Sequence, residues 1–327
     1  MDIRTLEDLE TFCESAREGT DWAVFSRGRT VFYVGHAAFE SFLHEDAGRA
    51  WYPTLTQASG VYESSTWVLA VGGNREFDDA KRIAHLSGLS LATCPWRLNV
   101  DAFATDRFGG TPTQPAAKGV FPSAIILDQL MLSAHDDGEH VPGLGEALGL
   151  LTSTRDLALH DPAAATIVAM ADRVATSLMR CWESPSDDRW PRLLRLASTL
   201  ILKGQLTRLL GDNLGVAGCD HLIAYELRRR GWDFPHGTLV LVGTVLTTPL
   251  LCPDASVRCA EIVRFAERCG LFSPALVCAV QTEDLVDILL AAPETRPGRR
   301  TILCGLPRRE ADRAVAVARA AVTHNAI

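Results

Sequence analysis

The hydrophobic pattern of this chain changes period once, near residues 133–141, and that change restricts the folds open to it. Before it, short apolar runs rich in β-branched residues alternate with amphipathic stretches. Residues 30–35 (TVFYVG), 67–71 (WVLAV), 89–94 (LSLATC) and 123–127 (SAIIL) each read as a buried strand. A short helix is expected from Ala37 and an amphipathic one over 76–87. Strands separated by helices imply a parallel sheet with helices on both faces. After the change, apolar residues recur at helical spacing over 146–159, 163–181, 190–210, 219–229, 238–251, 257–269, 284–291 and 310–323. Prolines 142, 162, 235 and 293 punctuate these runs. The expected fold class is therefore an α/β N-terminal domain with a parallel sheet, over 1–137, followed by an all-α domain over 138–327. The polar stretch SAHDDGEHV between them reads as a linker.

Composition removes several classes of function. With 327 residues, 47% of them apolar and 22% charged, the chain can build two ordinary cores. A formal net charge of −8 gives no general attraction to nucleic acid, and no basic, aromatic-studded patch is present. The longest apolar run, about 239–252, is too short to span a bilayer and carries threonines, so no membrane role is expected. The start, MDIRTLEDLETF, is acidic and amphipathic, unlike a signal peptide. Nine cysteines without a C-x-x-C pair argue for reduced, mostly buried thiols in the cytoplasm. Cations are almost all arginine, the three lysines being Lys81, Lys118 and Lys203, so lysine-dependent chemistry has few candidates.

The run WVLAV ends in Gly72-Gly73-Asn74-Arg75 and a helix follows. A strand, a glycine turn and a helix N-terminus can bind phosphate, since glycine lets backbone approach and the helix start offers free N–H groups. The turn is not the G-x-G-x-x-G fingerprint. The longer stretch VLAVGGNREFDDAKRIA resembles the VGGGxxxDxAKxxA signature of the iron-containing alcohol dehydrogenase and dehydroquinate synthase-like superfamily, with Gly72, Gly73, Asp78, Ala80 and Lys81 matching. Further segments resemble that superfamily in the right order: ATCPWRLNVD with Thr93 and Asp101, PSAIILD, and the turn Gly143-Leu144-Gly145-Glu146. AGCDHLIAYEL, PHGTLVLVGTVL and RPGRRTIL are similar to segments of its sn-glycerol-1-phosphate dehydrogenase branch.

The resemblance implies a nucleotide site at Gly72, Gly73, Asn74, Arg75, Asp78 and Thr93, and metal ligands at Glu146, His221 and His236, each opening a helical stretch. One carboxylate and two imidazoles with an open position suit a catalytic zinc or iron ion. The ion would act as a Lewis acid on a substrate hydroxyl while hydride passes to NAD or NADP. Asp101 is the implied substrate contact, and Glu146, His221 and His236 complete the catalytic set. Tyr225 stands where many relatives have another histidine, and it reads either as an altered pocket wall or as a packing residue. Other positions depart from the pattern. Asn74 replaces a third glycine, Trp96 stands where relatives often carry threonine, and TVFYVGHAA lacks the acidic residue that often meets the adenine ribose. The expected function is oxidation or reduction of a secondary alcohol or ketone. The substrate is a polyol, its phosphate, or a specialised metabolite such as a modified peptide side chain, and a homo-oligomer is compatible with this. Two alternatives stay open. One is a dehydroquinate synthase-like cyclase, favoured by a glutamate ligand and opposed by the lysine-free stretch ALGLLTSTR after it. The other is a non-catalytic homologue with a decayed cofactor site.

Overall fold

The structure, a computed structural model, describes residues 24–27, 30–34, 67–110, 116–184, 188–271, 277 and 280–324. The helix expected from Ala37 and the amphipathic start of the chain lie outside the described residues. Contacts divide the described residues into two compact units, the first ending at Asp136 and the second running from Asp137 onward.

The first unit holds a five-stranded sheet in the order β1 (Val24–Arg27), β2 (Thr30–Val34), β3 (Trp67–Gly72), β4 (Ser90–Pro95) and β7 (Ala124–Ile125). β2, β3, β4 and β7 run parallel, and β1 adds an antiparallel edge that the hydrophobic pattern did not announce. Val68–Val71 and Leu91–Cys94 are buried throughout, as parallel strands covered on both faces require. Helix α1 (Asn74–Ser87) lays Phe77, Ala80, Ile83 and Ala84 into the core and stops at Gly88, whose φ of 65° only glycine adopts readily. The run 123–127 yields only two strand residues. Asp128 ends it by accepting the Met131 N–H at 2.9 Å, which caps α2 (Gln129–Ala134). A two-stranded ribbon, β5 (Arg107–Phe108) and β6 (Ala117–Lys118), completes the described part.

The second unit is helical: α3 (Asp137–Leu148), α4 (Leu150–Ala158), α5 (Ala165–Glu183), α6 (Trp190–Leu210), α7 (Cys219–Arg229), α8 (His236–Leu251), α9 (Ala255–Arg268), α10 (Thr282–Ala291) and α11 (Arg308–His324). The stretch SAHDDGEHV is helical over most of its length. It ends α2 and opens α3, where Asp137 and Glu139 suit the positive first turn and His140 is buried. Pro142 therefore sits inside a helix and does not break one. α8 is buried from Gly237 to Pro249 and is the unit's central helix. Its threonines satisfy their buried hydroxyls within the helix, Thr244 to the Val240 carbonyl and Thr248 to the Thr244 carbonyl. Among the described residues, no helix is long and apolar enough to cross a membrane.

Candidate metal centre and glycine turn

Two glycines fix where the candidate ligands meet. A Cβ added to Gly145 on α3 would run into the Gly237 carbonyl of α8, and one added to Gly237 would run into the Pro142 carbonyl of α3. The two helices therefore touch backbone to backbone, which sets Glu146, beside Gly145, against His236, beside Gly237. A Cβ on Gly243 would likewise strike the Asp220 backbone of α7, so α7 seats His221 against the same place. Ligand atoms of Glu146, His221 and His236 lie within 4.8 Å of one another. Sequence spacing expects Glu146 to open a helix. It instead lies in the last turn of α3, because the helix starts nine residues earlier than the apolar pattern suggests.

His221 Nε2 lies 3.0 Å from Glu146 Oε1, and His236 Nε2 lies 3.5 Å from Oε2. His221 Nδ1 meets Asp220 Oδ2 at 2.9 Å, and Ser153 donates to the other oxygen of Asp220 at 2.6 Å. The Lys203 ammonium, from α6, contacts Glu146 Oε1 and donates to the Glu146 carbonyl at 2.9 Å. Glu146, Asp220 and Lys203 are buried, whereas the His236 side chain is about a third exposed. Burial opposes the charge on Glu146, but Lys203, His221 and His236 outweigh it and hold the carboxyl well below its usual range. Burial likewise opposes a proton on His221, and the charges of Asp220 and Glu146 outweigh it, raising the imidazole to about 10.

Glu146 Oε2 is buried and has no hydrogen-bond partner. An acceptor left open in this way, facing two imidazoles, fits a divalent cation. A carboxylate behind the histidine, here Asp220, is the usual device for setting ring orientation and tautomer. Tyr225 stacks on His236 with ring centres 6.1 Å apart and planes 17° apart, and the Arg296 guanidinium lies 4.3 Å from the Tyr225 ring centre. Tyr225 thus lies between the more open histidine and Arg296.

The glycine turn, in the first unit, fits an anion in part. Gly72 takes a φ of 151°, and Gly73 caps α1. The Gly73 N–H is already used, however. Glu76 folds back and accepts it at 2.8 Å. The Trp96 indole packs against Gly73, and Arg97 stacks on the indole at 3.9 Å. The Glu76 carboxylate therefore takes up the backbone donor that an anion at this turn would use. Asn74 is exposed in the first turn of α1, where Arg75 also lies. Asp78 accepts the Gly109 N–H at 2.8 Å and lies 4.0 Å from Lys81, so it ties α1 to β5. Thr93 is fully buried and donates to the Phe103 carbonyl at 2.7 Å, which engages its hydroxyl away from solvent. Asp101 is half-buried and its carbonyl accepts the Ala104 N–H at 2.9 Å, opening a 3-10 turn.

Sequence reasoning missed Lys203, Asp220 and Glu76. The signal for Lys203 was a lone lysine inside TLILKGQL, on an otherwise buried face. For Asp220 it was an acid adjoining a candidate ligand, and for Glu76 a carboxylate three residues after a helix cap.

No family model matches the chain. Among solved structures it is similar to glycerol dehydrogenase from Schizosaccharomyces pombe, with a TM-score of 0.61 and 17% identity, covering 83% of this chain and 74% of that one. It is also similar to an iron-containing alcohol dehydrogenase, with a TM-score of 0.50 and 15% identity, covering 81% and 78%. The chain thus has the fold of the iron-containing alcohol dehydrogenases. In sequence it is similar to glycerol-1-phosphate dehydrogenases. That of Sulfurisphaera tokodaii is 28% identical over 249 residues, 72% of this chain and 69% of its own. That of Thermococcus kodakarensis is 24% identical over 269 residues, 78% and 74%.

Proposed function

We propose that the protein is a metal-dependent NAD(P) oxidoreductase that interconverts a secondary alcohol and its ketone, with a polyol phosphate as the substrate class. The observation that carries this reading is the buried Oε2 of Glu146, which makes no hydrogen bond and sits in a carboxylate facing two imidazoles. The naming of relatives as glycerol-1-phosphate dehydrogenases supports the substrate class. Glu146, His221 and His236 would hold zinc or iron. Asp101 is the proposed contact to a substrate hydroxyl, and Gly72, Gly73, Asn74, Arg75 and Asp78 form the proposed nucleotide turn, with Thr93 supporting it through β4. The bound metal supplies Lewis acidity to a substrate oxygen, and the nicotinamide supplies the hydride acceptor or donor.

The chain's own residues prepare that chemistry. Asp220 fixes His221 through Nδ1, so that Nε2 faces Glu146. Lys203 and His221 hold one oxygen of Glu146, which leaves the other toward His236. Tyr225 stacks on His236, and Arg296 lies over the Tyr225 ring. The described cysteines Cys94, Cys181, Cys219, Cys252, Cys259, Cys269 and Cys304 are free thiols, which supports a reducing, cytoplasmic setting.

The test is elemental analysis of protein purified without chelator, combined with NADH and NADPH fluorescence titration. Glycerol 1-phosphate and its ketone are then assayed by the change in bulk NAD(P)H. Near-stoichiometric metal that disappears in the His221→Ala/His236→Ala double variant, together with turnover, is the expected result. A wild type that holds neither metal nor nucleotide refutes the reading. Product formation without net change in NAD(P)H would point to a cyclase.

A further inference from the structure

Lys203 is not one of the three proposed metal ligands, yet its ammonium lies against one of them, Glu146. Its side chain is wholly buried, and its ammonium touches both the Oε1 atom and the backbone carbonyl of Glu146. A lysine is almost never buried this fully unless its charge has a partner. The partner here is the carboxylate on which the proposed metal depends. We propose that Lys203 is a positioning residue that acts as the metal centre's internal counter-ion. It holds the Glu146 carboxylate aimed when no metal is bound, and it lowers the affinity of the site for a divalent cation. The inference rests on the metal reading above.

Three observations support it. First, Lys203 approaches Oε1 and leaves Oε2 without a hydrogen bond, so the ammonium orients the carboxylate without covering the oxygen that faces His236. Second, the ammonium is tethered. α3 ends at Leu148, so the Glu146 carbonyl belongs to the last turn, whose carbonyls need partners from outside the helix, and Lys203 supplies one. Arrival of a cation therefore does not free the lysine to swing away. Third, the charges decide the direction of the effect. With a metal held, both imidazoles would be neutral donors, so Glu146 and Asp220 would give the cluster two negative charges, and Lys203 would reduce the total to one. Two cations sharing one buried carboxylate repel each other strongly, because little water lies between them to screen the interaction. The ligand-free site is thus preformed and stable, and the metal enters it against a resident positive charge.

The experiment compares wild type with Lys203→Met, Lys203→Gln and Lys203→Arg after metal removal. Zn²⁺ is titrated by calorimetry, and thermal melts are recorded with and without Zn²⁺. His221→Ala serves as the control for binding at the cluster. Met and Gln are expected to tighten Zn²⁺ binding by about tenfold or more. They should also lower the metal-free melting temperature and enlarge the rise that Zn²⁺ produces. Arg, which keeps the charge, should bind Zn²⁺ much as wild type does. Variants that fold only with Zn²⁺ would agree with the proposal. Equal or weaker Zn²⁺ binding by Met and Gln would overturn it while leaving the metal reading intact. So would Met and Gln variants that stay unfolded even with Zn²⁺. If neither wild type nor any variant binds Zn²⁺, the inference and the metal reading fall together.

Discussion

Replacing Glu76 with alanine should tighten nucleotide binding while weakening the fold, and the size of each effect follows from one hydrogen bond. Glu76 Oε2 accepts the Gly73 N–H at 2.8 Å, the backbone donor that a phosphate at this turn would use. A hydrogen bond to a charged group contributes about 1.5–3 kcal/mol. A bound phosphate must break that bond and displace a negative charge before gaining its own. Removing the carboxylate lifts this cost, and at about 1.4 kcal/mol per tenfold the dissociation constant for NADH or NADPH should fall by roughly ten- to a hundredfold. The same change loses that bond from the ligand-free fold and should lower stability by about 1.5–3 kcal/mol. The assay is fluorescence titration of both nucleotides, paired with chemical denaturation of the same preparations. Glu76→Gln, which keeps an acceptor without the charge, should fall between alanine and wild type. If Glu76→Ala binds nucleotide no better than wild type, or worse, Glu76 is not a competitor of phosphate and the reasoning fails.

Other substitutions test the helical unit. Asp220→Asn removes the carboxylate behind His221 and should weaken Zn²⁺ binding by about ten- to a hundredfold, measured by competition with a chelating dye. Unchanged affinity would show that Asp220 does not orient the ring. Gly237→Ala drives a methyl group into the Pro142 backbone, which cannot move as a side chain could, and should cost about 3 kcal/mol in denaturant unfolding along with loss of Zn²⁺ binding. A variant as stable as wild type would mean that α3 and α8 can separate at little cost. Asp156 accepts the Cys219 and Ile302 N–H groups, and burial raises its carboxyl from 3.8 to about 6 despite those bonds. The folded state therefore holds its proton more tightly than the unfolded state, so this group's contribution is full below about pH 4 and is lost as pH rises through about 6. That difference corresponds to about 3 kcal/mol. Asp156→Asn should show a smaller fall in stability between pH 4 and 6 than wild type, and an identical slope would refute the assignment.

The sheet was legible because its parallel strands are buried on both faces and so appear as unbroken apolar runs, WVLAV and LSLATC among them. The polar stretch before α3 misled for the opposite reason. Its acids and glycine have the composition of a loop, but Asp137 and Glu139 occupy a helix first turn, where acids are favoured. The cluster of Glu146 with His221 joins positions 75 apart in sequence, and no periodicity connects them. Motif resemblance named the three residues, whereas the reason they meet, the contact of Gly145 with Gly237, exists only in three dimensions. Lys203, 57 positions from Glu146, matched no motif. A buried lysine is visible in sequence only as a charge on an apolar helix face, and the pattern cannot say which carboxylate receives it.

Lys203 and Glu76 follow one physical logic in separate units of the chain. Each carries a charge of the same sign as the ligand proposed for its site, positive where a divalent cation would bind and negative where a phosphate would bind. Each also satisfies a group that would otherwise be costly to bury or leave bare, Glu146 in one case and the first turn of α1 in the other. Ligand affinity and ligand-free stability are therefore set against each other at both places, because whatever stabilises the empty site must be opposed or displaced by the ligand. This distinguishes the arrangement from ordinary damage to a binding site. A residue that simply helps to build a site loses affinity when it is removed. Lys203→Met and Glu76→Ala are expected to gain affinity and lose stability, and that opposite movement of the two quantities identifies a competitor already resident in the fold.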